Sequence, residues 1–392
     1  MAANIVFLIV LLLLIAALLN EPSLFMPMAL LASALIFGRV WGKRALKNVR
    51  VRRMMADRSF ANDKVRVTIE LENTGRLPVV WLRLHDSLPA ELAPHQFDHA
   101  ISLKGGERQQ FEYVIQTNRR GYYQVGPLSA QSGDVLGLSD SSMVHAAGMT
   151  PLLVYPRVVP FKWLFVPSTM PLGDVRQRQP LFEDPNRVRG KRDYIRGDSL
   201  RRVDWKATAA TGHLQVKMFE SSVTLSTMIV LDLSVGAYDH MTQLDSVELA
   251  IVIAASVANH MVTMRQSVGL VTNGLSPMGK PAMFPPRKGR AHLIQLLESL
   301  AGVKAVEADP AATLVNHERG RLAWGTTLVI VTGKADDVLF EALMHTRRTG
   351  LNPVLILCGR GVNLPPAQRR AAVCGIPLQY VRTENDVREL TF

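Results

Sequence analysis

From residue 226 to the C-terminus, apolar runs typical of buried strands alternate with longer segments of helical period. Strand-like runs such as STMIVLDLS and TTLVIVTG are separated by helix-like segments such as QLDSVELAIVIAASVANHMVTM, whose apolar residues recur every three or four positions. Strands and helices in alternation form parallel sheets through right-handed crossovers. Residues 226–392 are therefore predicted to form a doubly wound α/β domain, with PLQYVR as an edge strand.

Polar side chains follow the predicted strands at the edge where α/β sheets bind ligands. The segment DLSVG, Asp232–Gly236, resembles the D-x-S-x-S cation site of von Willebrand factor A domains, whose oxygen ligands suit Mg²⁺. Gly236 replaces the second Ser, and the later segments PPRKGRAH and VTGK supply no obvious Thr and no Asp. Asp232 and Ser234 thus predict a degenerate metal site, with Asp232 as a loop cap or Arg partner as the alternative. No cofactor other than this Mg²⁺ is expected. The remaining polar residues at this edge are Thr272, Asn273 and Thr332.

Residues 42–150 show the two-residue alternation of β-strands. KVRVTIELEN, PVVWLRLHD and ERQQFEYVIQT alternate apolar and polar residues, and RRGYYQVGPLSAQSGDVLGL adds two strand candidates broken by Gly and Pro. This spacing predicts a small antiparallel β sandwich. Residues 151–225 are predicted to be a connector with an exposed loop in GDVRQRQPLFEDPNRVRGKRD.

Two apolar runs, Ile5–Leu19 and Leu24–Val40, precede the β region. Each is somewhat short of the roughly 20 residues that span a bilayer, but flanking residues bring both within range. Residues 1–41 are therefore predicted to form a transmembrane helical hairpin, with a cleaved signal peptide as the alternative. The positive-inside rule then places both termini in the cytoplasm and the basic cluster against membrane lipid. That cluster consists of Arg39, Lys43, Arg44, Lys47, Arg50, Arg52 and Arg53.

The chain has 45 Lys and Arg against 33 Asp and Glu, a net charge of +12 that favours an anionic partner. Membrane lipid accounts for part of this charge, and no nucleic acid is expected because aromatic residues are few and no recognition module is present. The two cysteines, Cys358 and Cys374, exclude a disulfide framework and a cysteine zinc site, and fit a reducing compartment.

Two further motifs are weak. GLSPMGKP, Gly274–Pro281, has the spacing of a phosphate loop, but Pro281 replaces the required hydroxyl residue and Pro285 and Pro286 prevent an immediate helix, so a hairpin is predicted. HQFDH, His95–His99, could place two histidines on a metal, but its surroundings predict a loop with solvated side chains.

The stretch RGKRDYIRGDSLRRVDWKATAATG, Arg189–Gly212, concentrates charge around a Tyr and a Trp. Asp193 and Asp198 could pair with Arg196, Arg201 or Arg202, and Asp204 with Arg201 or Lys206, since Arg offers a planar fork to a carboxylate. The stretch is predicted to be a structural clasp between domains or a docking surface. Catalysis by Asp198 or Asp204 is the rival, and it lacks a second, independent catalytic group.

The same stretch resembles the signature of the domain of unknown function 58 family, R-x-Y-x-x-G-D-x-x-R-x-[IV]-x-W-K. RRGYYQVGPLSAQSGDVLGL, VRVTIELENTGRLPV and HDSLP resemble other segments of that family, with Val135 where a Pro is usual. An Arg usual after the signature is absent, since Ala210 and Thr211 stand there. The signature residues proposed to bind a partner or join domains are Arg192, Tyr194, Gly197, Asp198, Arg201, Asp204, Trp205 and Lys206.

Proteins of this family are bacterial, membrane-anchored and typically encoded beside a MoxR-type AAA+ ATPase, often with von Willebrand factor A proteins. The resemblance implies a von Willebrand factor A-like C-terminal domain, an inner-membrane location, and these proteins as partners. We therefore expect a non-enzymatic scaffold or adaptor in protein assembly or maturation. The alternatives are a divalent-cation-dependent binding module and an enzyme of unknown reaction that uses Asp198 or Asp204.

Overall fold

The computed structural model describes residues 7, 10–12, 14, 15, 22–92, 97–132, 142–161, 188–219, 226–277, 279 and 281–390. The chain divides into two units, Met1–Val158 with Leu297–Val303, and Val159–Leu296 with Lys304–Phe392. Several sequence predictions lie outside the described residues: most of the first apolar run, His95, the DVLGL turn, and residues 173–187 of the predicted exposed loop.

The N-terminal part of the first unit contains a helix, Pro22–Lys47, followed by strands. Two antiparallel sheets have the orders β1-β3-β6 and β5-β4-β8-β9, and a third, β2-β10-β7, contains one parallel pair, β2 with β10. The elements are α1 (Pro22–Lys47), β1 (Val49–Met55), β2 (Arg58–Phe60), β3 (Lys64–Asn73), β4 (Val79–Asp86), β5 (Phe97–Leu103), β6 (Arg108–Gln116), β7 (Gly121–Val125), β8 (Leu128–Ser132), β9 (Ser142–Ala147) and β10 (Thr150–Tyr155).

Alternation in the sequence explains these strands. On β3, Val65, Val67, Ile69 and Leu71 are buried while the residues between them point to the other face, so the strand covers a core on one side. The predicted strands KVRVTIELEN, PVVWLRLHD and ERQQFEYVIQT are confirmed as β3, β4 and β6. The prediction of a loop at HQFDH is wrong in its second half, because Phe97–His99 begin β5 and pair with β4.

The predicted transmembrane helical hairpin at residues 1–41 is wrong. Among the described residues, one helix is long and apolar enough to cross a membrane, Gln243–Thr263. Of its apolar 18-residue stretch, 72% is buried inside the protein. Within α1, the apolar portion Met26–Gly38 is shorter than the roughly 20 residues that span a bilayer. The end of α1 instead packs on the sheets, where Ala45 and Leu46 are buried in the same core as Ile69 and Leu71.

The second unit contains a six-stranded sheet of order β15-β14-β13-β16-β17-β18, in which every pairing is parallel except that of the edge strand β15. The predicted edge strand PLQYVR is confirmed as β18. The elements from Val188 onward are β11 (Val188–Asp193), α2 (Trp205–Thr211), β12 (Gln215–Phe219), β13 (Ser226–Leu231), α3 (Gln243–Thr263), β14 (Ser267–Leu275), β15 (Pro281–Arg287), α4 (Arg290–Gly302), α5 (Ala311–Arg319), β16 (Thr327–Thr332), α6 (Asp337–Arg348), β17 (Asn352–Cys358), α7 (Leu364–Cys374), β18 (Leu378–Val381) and α8 (Glu384–Val387). Helix α4 begins in the second unit, and its residues from Leu297 onward are assigned to the first.

The order of the strands determines where this sheet can bind a ligand. From β13 the chain crosses to β14 on one side, and later returns to β16 on the other side of β13. The carboxyl ends of β13 and β16 therefore flank the point where the winding reverses, which is the usual ligand position in such sheets. The hairpin predicted at Gly274–Pro281 is confirmed, since β14 ends at Leu275 and turns directly into antiparallel β15.

Candidate functional site

The stretch Arg189–Gly212 lies within a small hairpin, which we call the signature hairpin and define as Val188–Phe219. Strands β11 and β12 pair antiparallel, and between them lie a turn, a 3₁₀ segment at Leu200–Arg202 and helix α2. The connection folds back on the strands, because Val203 bridges to Val216 and both side chains are buried. The backbone N–H of Tyr194 also donates to Leu214 O at 2.8 Å.

Glycines close both ends of the connection. Gly197 has φ +107° in the turn in which Asp198 N–H donates to Ile195 O at 3.0 Å, a conformation that residues with a Cβ rarely adopt. Gly212 ends α2 in the left-handed region with φ +75°. In the Gly-Asp pair of the signature, Gly197 therefore allows the turn, and Asp198 supplies a carboxylate directly after it.

Asp198 is held by an ion pair inside the hairpin. Arg192 donates from Nη1 to Oδ2 and from Nη2 to Oδ1, both at 2.7 Å, and the backbone N–H of Ile195 donates to Oδ2 at 3.0 Å. These hydrogen bonds, first that from Arg192 and then that from Ile195, lower the pKa of Asp198 below its ordinary value. A carboxylate with every oxygen engaged in this way ties the turn to β11.

Asp204, at the start of α2, is likewise held by a basic side chain and a backbone N–H. Its Oδ1 accepts a hydrogen bond from the backbone N–H of Ala207 at 3.1 Å, the arrangement of a helix N-cap. Its Oδ2 lies 2.9 Å from Lys191 Nζ. The Lys191 hydrogen bond, followed by that from Ala207, lowers the pKa of Asp204. Asp204 therefore fastens α2 to β11.

The ion-pair partners differ from those predicted. The sequence suggested Arg196, Arg201 or Arg202 for Asp198 and Arg201 or Lys206 for Asp204, but the direct pairs are made by Arg192 and Lys191. Both partners lie on β11, and the fold of the connection brings the carboxylates back to that strand. Sequence spacing favoured basic residues nearer in the chain, because spacing alone does not predict that the connection folds back onto β11.

Three of the remaining signature side chains, those of Arg201, Trp205 and Lys206, are exposed. Trp205 is 68% exposed, and Leu200 and Ile195 are 64% and 63% exposed, although each is large and apolar. Arg201 and Lys206 are also exposed, and Arg201 has no hydrogen-bond or ion-pair partner among the residues that the structure describes. Tyr194 is half-buried. The exposed apolar residues Ile195 and Leu200 were missed at the sequence level, because they stand singly among charges.

A second polar cluster surrounds Asp232, directly after β13. Asp232 is 2% exposed. Its Oδ1 accepts hydrogen bonds from Ser234 N at 3.0 Å, Ser234 Oγ at 2.7 Å and Asn273 Nδ2 at 2.8 Å, and its Oδ2 accepts one from Thr332 Oγ1 at 2.8 Å. The structure thus brings together four of the five polar residues that the sequence placed at this edge. The fifth, Thr272, accepts instead from Gly274 N–H.

Further hydrogen bonds fix the cluster in place. Asn273 Oδ1 accepts from Leu233 N–H at 2.6 Å, and Tyr238 donates its hydroxyl to Asp232 O at 2.6 Å. Because four donors already occupy the carboxylate of Asp232, a divalent cation would have to displace them. The described residues also contain no group of three or more His, Cys, Asp or Glu side chains that could hold a metal. The geometry is that of a loop anchor, the alternative to the metal site.

The groups near Asp232 that could react are held in their neutral forms. Burial raises the pKa of the Cys358 thiol to about 12, so it is not a thiolate at neutral pH. Burial also raises the pKa of Tyr238 well above its ordinary value. Neither group is therefore suited to nucleophilic or acid–base chemistry near pH 7.

The carboxylates considered for catalysis do not come together in any of four cavities formed by the described residues. Asp232 and Ser234 line a cavity of about 300 Å³. Three other cavities in the described residues measure about 910, 560 and 450 Å³, and Asp198 and Asp204 line none of these four. Asp198 and Asp204 each have a basic partner in the signature hairpin, an arrangement that supports structural roles.

Comparison with known proteins gives one family and one relative of note. Residues 190–336 match the family described as "Protein of unknown function DUF58". "Uncharacterized protein YeaD" of Bacillus subtilis (strain 168) is 25% identical over 317 residues, which cover 79% of this chain and 75% of the relative.

Solved structures are only distantly similar. The CARDB domain of the PF1109 protein from Pyrococcus furiosus is 12% identical, with a TM-score of 0.20, over 27% of this chain and 91% of that one. Proximal thread matrix protein 1 from the mussel byssus is 14% identical, with a TM-score of 0.32, over 43% and 46% of the two chains. The family match includes most of the signature hairpin and the Asp232 cluster, and together with the relative it supports assignment of the chain to the DUF58 family of proteins of unknown function.

Proposed function

We propose that the protein is a non-enzymatic scaffold or adaptor that binds a partner protein through the signature hairpin. One observation carries this proposal: the hairpin pairs two of its three carboxylates, Asp198 and Asp204, internally and leaves apolar and cationic side chains exposed. Asp198 and Asp204 are paired with Arg192 and Lys191, so they are already engaged.

The exposed residues are of the types that dominate protein interfaces. Trp and Arg are enriched among interface residues whose truncation weakens binding most. The signature hairpin exposes Trp205 and several Arg side chains, Arg201 among them, with exposed Ile195, Leu200 and Lys206 in the same short segment. Single exposed apolar residues are common on protein surfaces, but three large ones beside an unpaired Arg support a binding role.

The partner that we propose is a MoxR-type AAA+ ATPase, which the family resemblance implies. The chemistry of the hairpin supports a partner surface that combines apolar pockets with acidic side chains. Other von Willebrand factor A proteins are the second partner class implied by the resemblance. Measuring the affinity of this chain for a member of each class distinguishes the two.

We also propose that the protein acts at the bacterial inner membrane, with these units in the cytoplasm. This location is supported by the exposed apolar side chains of α1, among them Met26, Leu30, Ile36 and Phe37, each more than 60% exposed. It is also supported by the basic residues that follow in the sequence, since anionic lipid attracts Lys and Arg near its surface.

The docking proposal is tested by a double substitution, Arg201→Ala with Trp205→Ala. The full chain and the ATPase are co-purified in detergent, and their affinity is measured by biolayer interferometry. We expect a loss of about tenfold or more, since truncating central Trp and Arg contacts commonly has this effect.

The matched control is Trp324→Ala with Arg382→Ala, which removes a 50% exposed Trp and an exposed Arg elsewhere in the second unit. This control is expected to keep wild-type affinity. If a folded Arg201→Ala, Trp205→Ala protein binds the ATPase as tightly as wild type does, the signature hairpin is not the docking site.

A further inference from the structure

A cavity of about 560 Å³ lies beyond the carboxyl ends of β13, β16 and β17. Its lining comes from the loops that follow these three strands, around Tyr238, Gly333 and Gly361, and from the start of α7. This is the side of the sheet where the winding reverses between β13 and β16. Its volume falls within the range of about 300–1,000 Å³ that is usual for small-molecule sites. The signature hairpin contributes nothing to its lining.

The charge of the cavity is predominantly positive. Its lining contains Lys334, Arg360 and Arg370 but a single carboxylate, that of Asp239. Arg370 forms an ion pair with Asp337, whereas the side chains of Lys334 and Arg360 have no ion-pair or hydrogen-bond partner among the described residues. Two uncompensated cations at the rim of one cavity favour an anionic ligand.

The loop after β17 adds neutral donors to this charge. It reads Gly359-Arg360-Gly361, with φ +105° at the first glycine and +87° at the second. A Cβ at Gly359 would lie 2.6 Å from Ser246 Oγ, so the loop packs too closely there for a larger residue. In the described residues, the backbone N–H groups of Arg360 and Gly361 have no acceptor, which leaves them available to an oxygen ligand.

From the cavity and its cations we propose that this cleft binds a small phosphate-bearing molecule. A phosphate group matches the planar fork of Arg360 and the point charge of Lys334, and its several oxygens suit backbone donors as well. The cleft is large enough for a ligand with an organic part beside the phosphate. This proposal does not depend on the signature hairpin, because the two sites share no residue.

The test uses inorganic pyrophosphate as the probe, titrated calorimetrically into the detergent-solubilised full chain at constant ionic strength. We expect saturable binding to wild type, and a dissociation constant about tenfold or more higher for Lys334→Gln with Arg360→Gln, because each charged hydrogen-bonding group contributes about this much. The control is Arg382→Gln with Arg388→Gln, which removes the same charge from two exposed arginines outside the cleft.

Each outcome decides the proposal. Wild-type affinity in the cleft variant, or no saturable heat with wild type, overturns it. If a poly-glutamate peptide binds in a Lys334- and Arg360-dependent manner while pyrophosphate does not, the cleft recognises an acidic protein segment instead. The single variants Lys334→Gln and Arg360→Gln, each at an exposed residue, keep the test valid if the double variant fails to fold.

Discussion

At the scale of single residues, Asp232 illustrates how the carboxylate of a familiar motif can be engaged by hydrogen bonds within the chain. A carboxylate followed by a serine at the end of a parallel strand resembles a cation site, and the topology brings further oxygen-bearing side chains to it. In this chain those side chains donate to Asp232 rather than leaving its oxygens free, and Thr332 occupies the end of β16. The carboxylate thereby joins the loop after β13 to the ends of strands β14 and β16.

Replacing Asp232 by Asn tests this structural role. The amide keeps the shape of the side chain, but its nitrogen donates a hydrogen bond and cannot accept one, so at least one of the four hydrogen bonds to Asp232 is lost. We expect the free energy of unfolding to fall by about 1–3 kcal/mol, measured by urea denaturation. The control Asp239→Asn, at an exposed residue, should stay within about 0.5 kcal/mol of wild type.

Thermal unfolding with and without added cation distinguishes an anchor from a metal site. We expect Mg²⁺ or Mn²⁺ to leave the thermal midpoint of wild type unchanged, because four donors already surround the carboxylate. A rise in midpoint with either cation that is lost in Asp232→Asn would establish cation binding and refute the anchor.

At the scale of elements, the signature hairpin is stabilised by two carboxylates that both return to β11. Their folded pKa values lie below the ordinary value, because Arg192 and Lys191 hydrogen-bond to the charged forms of Asp198 and Asp204 respectively. A lowered folded pKa means that the contribution to stability is complete above the unfolded pKa, near 3.9, and is lost as the pH falls through the folded value.

The double variant Asp198→Asn with Asp204→Asn makes this pH dependence visible. We expect the variant to melt below wild type at pH 7 and pH 5 by the same margin. The margin should shrink as the pH falls below about 4, where wild type takes up protons that the variant cannot. Differential scanning fluorimetry between pH 3 and pH 7 measures it, and a margin that is unchanged at pH 3 would contradict the assigned ion pairs.

The sequence predicts these elements better than it predicts their partners. Alternation identified β3, β4 and β6, and strand–helix alternation placed Asp232, Asn273 and Thr332 at one edge, since those signals are local or follow from topology. The pairing of Asp204 with Lys191 depends on how a long connection folds back, which local spacing does not encode. Hydropathy likewise measures composition and not burial, so it favoured a membrane hairpin at residues 1–41. Among the described residues, the helix that is long and apolar enough to cross a membrane is α3, which is mostly buried in the protein core.

At the scale of the whole molecule, the positive charge is distributed over sites with different expected partners. Basic residues follow α1, Arg201 and Lys206 lie on the signature hairpin, and Lys334 and Arg360 line the cleft of the sheet. The net charge of +12 is therefore not the mark of a single nucleic-acid surface. Three separate functions, membrane contact, partner binding and ligand binding, can then be tested by variants that do not overlap.

Deletion of residues 2–38 tests the proposed membrane location. The remaining part of α1 keeps Trp41, whose Nε1 donates to Pro78 O at 3.1 Å, together with the buried Ala45 and Leu46, so the first unit retains its core contacts. The deletion removes exposed apolar residues such as Met26, Leu30 and Phe37. We expect the full chain in the membrane pellet after high-speed centrifugation, and most of the truncated chain in the supernatant, because little apolar surface remains for lipid.

Trp205→Ala, the control that removes an exposed ring elsewhere, should stay in the pellet. A full chain that remains in the supernatant, or a folded truncated chain that still sediments with membranes, would refute attachment through this segment.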